Sequence, residues 1–216
     1  MGNFWIEDGE TMLFIGDSIT DCGRGDANAP LGDGYVCMVA ELATAQFPDR
    51  EIRYLNKGIG GNTILDLRER WVEDVLEEGP DRLAIKIGIN DLNQHLVGGE
   101  RAVSPERFAQ TYEALLEHTG RELGCPVLLI TPFYISVDGA ENPNGAQVLE
   151  LLPRYIETVE GMSARHGTRL VRPHDLFQRQ LQYREAATFC PEPVHPNHAG
   201  HMVIADAVMT ELTSQG

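Results

Sequence analysis

Short apolar segments that alternate along the chain with amphipathic helical segments are the feature that most restricts its fold. Dense apolar runs bounded by turn residues predict buried strands, and apolar residues that recur every three or four positions predict helices. The predicted strands cover residues 11–15, 52–56, 83–88, 127–131 and 170–171. The predicted helices cover residues 34–47, 63–77, 104–123, 147–165 and 198–212. This alternation predicts an α/β fold in which a parallel sheet is covered by helices on both faces.

The composition bounds the number of domains and the classes of partner. A chain of 216 residues with 42% hydrophobic residues can bury one core, which predicts a single domain over residues 1–216. The formal net charge of -16 at pH 7 would repel phosphate groups and anionic lipid headgroups, so neither nucleic acid nor a membrane is an expected partner. We see no signal-peptide pattern and no apolar run of roughly 18 residues, and therefore expect a cytoplasmic location.

The four cysteines are scattered along the sequence, at Cys22, Cys37, Cys125 and Cys190. They form no C-x-x-C pair and no zinc-like spacing, which favours free thiols. Cys22 lies four residues after Ser18 and is an alternative nucleophile. No motif surrounds it, so a packing role is favoured.

Polar residues follow the predicted strands at the points where those strands end. Ligands of parallel α/β sheets bind outside the carboxyl ends of the strands, so these residues are the first place to look for chemistry. The first strand leads into Asp17 and Ser18, and the third leads into Asn90. The second leads into the glycine-rich residues 56–62, and the connection before the last helix contains residues 192–195.

Ser18 is a candidate nucleophile, provided that a base within hydrogen-bond reach removes its proton. His195 is the best candidate for that base, and Glu192, three residues earlier, is close enough to hold the imidazole in the productive tautomer. The oxyanion of an acyl-transfer intermediate also needs donors, preferably backbone amides of a glycine-rich turn and a fixed side-chain amide. Gly61 and Asn90 occupy suitable positions.

Each of these features alone has a more ordinary explanation. A serine after a strand is usually a helix cap, and Asn90 and His195 could stabilise a turn and cap the last helix. The glycines of residues 58–61 could form a tight turn or a phosphate cradle, but they lack the register of the known nucleotide-binding motifs. His198 and His201 could belong to a metal cluster, although their position favours the last helix, and we expect no metal site.

Together, four segments resemble the sequence blocks of the SGNH (GDSL-like) hydrolases, in the usual order. They are residues 15–21 (IGDSITD), 56–63 (NKGIGGNT), 88–91 (GIND) and 194–197 (VHPN). The resemblance implies a flavodoxin-like, three-layer α/β/α fold with a five-stranded parallel sheet. It also implies that Ser18 is the nucleophile and an oxyanion donor through its amide, that Gly61 and Asn90 are the other donors, and that His195 is the general base. No cofactor is implied.

Two residues depart from the family pattern. The family usually has an aspartate three residues before the histidine, where this chain has Glu192. Ser-His-Glu arrangements occur on other hydrolase folds, so Glu192 is predicted as the third member. The alternative to an active esterase, which the Glu192 substitution would support, is a catalytically inactive carbohydrate-binding or interaction protein on this fold. The second departure is Gly60, at a position where related proteins often have a small hydroxyl residue.

Asp17, beside the nucleophile, is predicted to support the turn through hydrogen bonds.

Three segments, residues 56–63 (NKGIGGNT), 131–134 (TPFY) and 199–201 (AGH), resemble those of bacterial intracellular carbohydrate esterases such as acetylxylan esterases. This implies hydrolysis of small acyl esters, foremost acetyl esters of xylo-oligosaccharides or related carbohydrates, and assembly into homo-oligomers. Phe133 and Tyr134 are candidates for a sugar-stacking wall, with core packing as the alternative, and Arg24 is a candidate for orienting the alcohol part. A lysophospholipase or thioesterase would need a long apolar groove, which the sequence does not indicate.

Overall fold

The computed structural model describes residues 4–25 and 28–214. Within these residues, the strands form one sheet in which all neighbouring pairs are parallel. The strands are β1 (Thr11–Gly16), β2 (Arg53–Gly58), β3 (Arg82–Lys86), β4 (Val127–Ile130) and β5 (Arg169–Val171). Their order across the sheet is β2-β1-β3-β4-β5, which is the flavodoxin-like order of doubly wound sheets. The predicted fold class is confirmed.

Helices cover both faces of this sheet. They are α1 (Ser18–Asp21), α2 (Tyr35–Gln46), α3 (Ile64–Trp71), α4 (Ile89–Val97), α5 (Pro105–Glu122), α6 (Gly145–His166), α7 (Pro173–Gln180) and α8 (His198–Thr213). A π-helical turn at Val72–Leu76 continues α3, and a 3-10 turn at Ala186–Thr188 precedes α8. Helix α2 packs against α8, while α5 packs against α3 and α6. In the described part of the chain, no helix has the length and apolar character that crossing a membrane requires.

The central strands are apolar along almost their whole length because helices cover them from both sides. Leu13, Phe14 and Ile15 of β1 are fully buried, as are Leu83 and Ile85 of β3. A sheet of this kind leaves only its strand ends exposed to ligands. The carboxyl end of β1, where Ser18 lies, is therefore a natural place for a site.

Three helices were missed from the sequence, and they include the two that begin closest to the candidate site. Helix α1 starts one residue after Asp17, and α4 starts directly after Gly88, whose φ of +133° few residues other than glycine adopt. The predicted third strand was also too long, because β3 ends at Lys86. The polar motif residues at these helix starts obscured the apolar periodicity.

Candidate active site

Ser18 and His195 meet at the carboxyl edge of the sheet, although 177 positions separate them. Ser18 is the first residue of α1, and the Asp17 side chain caps this helix by accepting the Ile19 N–H at 3.0 Å. His195 lies in the connection before α8, and its Nε2 is 2.8 Å from Ser18 Oγ. At this distance the imidazole can remove the serine proton, which is the requirement for an activated nucleophile.

The Glu192 carboxylate contacts His195 on the side of the imidazole that faces away from Ser18. Its Oε1 lies 2.5 Å from His195 Nδ1 and accepts the His195 backbone N–H at 2.8 Å, while its Oε2 accepts the Val194 N–H at 3.0 Å. When Nδ1 carries the proton, the lone pair of Nε2 faces Ser18, so the carboxylate selects the productive tautomer. Both side chains remain solvent-accessible, at 44% for Glu192 and 55% for His195. Solvent therefore screens their charge interaction.

The glycine-rich segment after β2 forms a tight turn beside the nucleophile. The Asn62 N–H donates to the Ile59 carbonyl at 3.3 Å, and Gly61 has a φ of +79°, as the third residue of a type II turn requires. A Cβ atom built on Gly60 would lie 3.9 Å from the Cβ of Ser18, in ordinary van der Waals contact. The small hydroxyl residue usual in the family would therefore fit at Gly60.

Asn90, the second residue of α4, holds this turn through a side-chain hydrogen bond. Its Nδ2 donates to the backbone carbonyl of Asn62 at 3.0 Å. A side-chain amide nitrogen has two N–H donors, and this bond uses one of them. The predicted oxyanion donors Gly61 and Asn90 are thus linked through Asn62. The turn that contains Gly61 lies beside Ser18.

A buried ion pair below the nucleophile was missed from the sequence. Lys86 Nζ lies 2.9 Å from one carboxylate oxygen of Asp17 and 3.3 Å from the other, and neither side chain has any exposed surface. Burial lowers the pKa of Lys86, while the Asp17 charge opposes that shift. Asp17 thus supports the turn as predicted, with Lys86 as its partner. The signal was present, since Lys86 is a charged residue in an apolar strand that helices cover on both faces.

We expect Lys86→Met to lower the free energy of unfolding by about 3–5 kcal/mol, because it leaves the Asp17 carboxylate buried without its cation. Urea unfolding followed by circular dichroism measures this loss. The double variant Asp17→Asn, Lys86→Met removes both charges and should recover most of the stability. A loss below about 1 kcal/mol in the single variant, the value of an exposed pair, would contradict this prediction.

The structure corrects the sugar-stacking prediction for Phe133 and Tyr134. Their exposed fractions are 0% and 1%, so neither ring offers a face to a sugar. Phe133 packs against Phe177 with ring centroids 5.1 Å apart, and the ammonium of Lys86 lies 5.0 Å from its ring. The segment after β4 continues into the core, and the alternative of core packing is the correct one.

Arg24 lies beside the glycine turn, with 30% of its side chain exposed. Its Nε donates to the Gly58 carbonyl at 2.5 Å, which holds the start of that turn. A role in orienting the alcohol part of a substrate stays a prediction.

Partly buried Cys22 and buried His201 form a pair behind the site. The Tyr35 N–H donates to His201 Nδ1 at 3.2 Å, and His201 Nε2 lies 3.5 Å from Cys22 Sγ. Burial lowers the pKa of His201 to about 4 and raises the pKa of the Cys22 thiol, so both groups are neutral near pH 7. The pair packs as a structural element, which argues against Cys22 as the nucleophile. Among the described residues, no group of three or more His, Cys, Asp or Glu side chains could hold a metal ion.

The sequence matches the GDSL-like Lipase/Acylhydrolase family over residues 14–203. The chain belongs to this family. The matched range begins in β1 and ends in α8, and it includes all four sequence blocks that indicated the resemblance. The protein is therefore a carboxylic ester hydrolase.

Several relatives match this chain over nearly its full length, both in sequence and in structure. An acetylxylan esterase from Geobacillus stearothermophilus is 37% identical over 215 residues, covering 96% of this chain and 95% of the relative. The crystal structure of Axe2, an acetylxylan esterase from the same organism, superposes with a TM-score of 0.87 at 36% identity, covering 98% of this chain and 97% of that one. LAE5, an α/β hydrolase enzyme from the metagenome of Lake Arreo, superposes with a TM-score of 0.86 at 33% identity, covering 97% of each chain.

Three further structures of Axe2 are described as catalytic mutants, and they replace a serine, a histidine or an aspartate by alanine. In that enzyme the aspartate lies three positions before the histidine. Glu192 and His195 have the same spacing in this chain.

Proposed function

We propose that this protein is a serine esterase that removes small acyl groups, foremost acetyl, from xylo-oligosaccharides or related carbohydrates. The hydrogen-bonded series Ser18, His195 and Glu192 beside the Gly61 turn carries this proposal. The acetylxylan esterase relatives support the substrate class, since they match nearly the full length of the chain.

The reaction proceeds through an acyl-enzyme. Ser18 Oγ attacks the ester carbonyl while its proton passes to His195 Nε2, and Glu192 stabilises the imidazolium that results. The oxyanion accepts hydrogen bonds from the N–H groups of Ser18 and Gly61 and from Asn90 Nδ2. Collapse of this intermediate expels the sugar alkoxide, which takes the proton from His195. Water, activated by the same imidazole, then attacks acetyl-Ser18 and releases acetate.

Acyl preference tests the substrate class. We expect turnover to be highest on p-nitrophenyl acetate and on acetylated xylosides, and to fall steadily as the acyl chain of p-nitrophenyl esters lengthens. An optimum at long acyl chains would favour a lysophospholipase or thioesterase instead. Absence of reaction with a fluorophosphonate probe at Ser18 would favour an inactive carbohydrate-binding protein.

We expect Asn90→Ala to lower kcat by about 10²–10³-fold, or roughly 2.7–4 kcal/mol, with little change in KM, because its amide acts mainly when charge develops on the oxyanion. Steady-state kinetics on p-nitrophenyl acetate measures both constants. Asn144→Ala, an exposed position before α6, makes the same chemical change away from the site and is the control. If KM alone rose, Asn90 would be a substrate-binding residue.

We also propose a cytoplasmic location and assembly into homo-oligomers. All four cysteines lie in the described part of the chain and are free, which supports a reducing compartment. The resemblance to the carbohydrate esterases is the support for oligomers. Fractionation of the native host and analytical ultracentrifugation test the two proposals.

A further inference from the structure

The guanidinium of Arg70 connects three segments that meet at the candidate active site. Its Nε donates to Asn62 Oδ1 at 2.8 Å, one terminal nitrogen donates to the Lys57 carbonyl at 2.8 Å, and the other donates to the Gly16 carbonyl at 3.1 Å. Gly16 ends β1 just before the nucleophile turn, and Lys57 and Asn62 flank the glycine turn. One side chain therefore fixes both sides of this turn relative to β1.

These contacts lead directly to the oxyanion donors. Asn62, whose side chain Arg70 holds, accepts the Asn90 side-chain amide on its backbone carbonyl and follows Gly61 in the turn. The Gly16 carbonyl, which also receives a hydrogen bond from Arg70, accepts the Ile59 N–H at 3.1 Å. Loss of the guanidinium would thus remove one anchoring hydrogen bond on each side of the turn.

The charge of Arg70 is held in place as well. Only 13% of its side chain is exposed, and Asp74, one helical turn further on, accepts from it at 2.6 Å. A planar guanidinium can donate in several fixed directions at once, which the single ammonium of lysine cannot reproduce. The arrangement therefore requires arginine in particular and not merely a positive charge.

We propose that Arg70 is a positioning residue that holds the Gly61 amide and the Asn90 side chain in the geometry that the oxyanion needs. This inference rests on the proposed esterase function. Each of the three guanidinium nitrogens of Arg70 already donates to a protein acceptor, which points to an action through Asn62 and the turn.

The test compares Arg70→Ala and Arg70→Lys with Arg68→Ala. Arg68 is an exposed residue of the same helix, and its replacement makes the same charge change away from the turn. We expect both Arg70 variants to lower kcat on p-nitrophenyl acetate by about 10–10²-fold with KM within about threefold, since a displaced oxyanion donor weakens transition-state binding. Arg68→Ala should stay within about twofold of the parent enzyme.

Phenylboronic acid provides a readout that a merely structural role would not change. It forms a tetrahedral adduct with the nucleophilic serine, so its inhibition constant should rise in the Arg70 variants by about the same factor as kcat falls. Added guanidinium at low millimolar concentration should restore part of the activity of Arg70→Ala and none in Arg70→Lys. If Arg70→Ala does not fold, Arg70→Lys alone decides the matter.

Two results would overturn the proposal. The first is that folded Arg70 variants show the kcat and boronate affinity of Arg68→Ala, which would make Arg70 a residue of stability only. The second is a KM increase with unchanged kcat, which would place Arg70 in substrate binding. Ser18→Ala is assayed alongside, and if it retained acetyl release, the esterase function itself would fail, and this inference with it.

Discussion

Replacing Ser18 by alanine is expected to lower kcat for acetyl release by about 10⁴–10⁶-fold, because only the oxyanion donors and substrate binding would then remain. We expect a loss of this size because Ser18 Oγ lies 2.8 Å from His195 Nε2, so the nucleophile has its base within hydrogen-bond distance. Steady-state assays on p-nitrophenyl acetate measure the loss, and circular dichroism checks that the fold survives.

Ser104→Ala is the matched control for this experiment. Ser104 caps α5 by accepting the Arg107 N–H, so its replacement should cost about 1 kcal/mol of stability and leave kcat unchanged. His195→Ala should match Ser18→Ala, and the double variant should be little worse than either, because the two residues act in one step. Acetyl release near the parent rate in Ser18→Ala, or a multiplicative double variant, would contradict the mechanism.

The sequence was sufficient to predict the central strands of the sheet because they are buried on both faces. Such strands are short continuous apolar runs. The two edge strands, β2 and β5, are only partly buried, and they also occur where they were predicted. Helices with a long amphipathic pattern, such as α5 with its Ser104 cap and Pro105, were also predictable to within a residue. Local physics governs these elements, so a local pattern is enough to find them.

The candidate site was predictable only in part. The residues that perform chemistry follow strand ends and belong to recognisable blocks, whereas some of the residues that hold them, such as Arg70, show no such signal. Arg70 and Arg68 both lie on α3 and look alike in the sequence, yet only Arg70 bonds to Gly16, 54 positions away. Long-range hydrogen bonds of this kind depend on the strand order, which the sequence pattern alone does not give.

Phe133 and Tyr134 illustrate the opposite error. Their position after a strand suggested a surface wall, but residues 131–136, which follow β4, are buried, and so are both rings. A position after a strand end predicts proximity to the site edge, and the direction of the side chain depends on the local backbone. Lys86, which the sequence analysis missed, did carry a local signal, since a charge in a doubly covered strand requires a buried partner.

Replacing Glu192 by glutamine should lower kcat by about 10²–10⁴-fold, and the contacts of its carboxylate explain why. Three N–H groups converge on it, from Val194, from His195 and from the His195 ring. Glutamine has one acceptor oxygen and one donor nitrogen, so in either orientation at least one N–H meets an NH₂ group. With the oxygen toward Val194, the ring proton moves to Nε2 and the base that faces Ser18 is lost.

The upper limit of this range is the effect of the same change on the aspartate of a serine protease triad, about 10⁴-fold. That aspartate is buried, whereas 44% of Glu192 is exposed, so water can replace part of its role and the effect should lie below the limit. Kinetics near the pH optimum measure kcat, and circular dichroism confirms the fold. Glu185→Gln, at an exposed position seven residues earlier, is the control and should be neutral.

Glu192→Asp separates the charge of the carboxylate from its reach. Aspartate has this spacing in Axe2, but Pro191 and Pro193 flank Glu192 here and limit how far the backbone can move toward His195. We therefore expect a loss of about tenfold, near 1.4 kcal/mol, which is milder than that of Glu192→Gln. If the aspartate variant were the worse of the two, reach would matter more than charge. If Glu192→Gln lowered kcat by less than about tenfold, Glu192 would not be a catalytic residue, and Ser18 and His195 would act as a catalytic dyad.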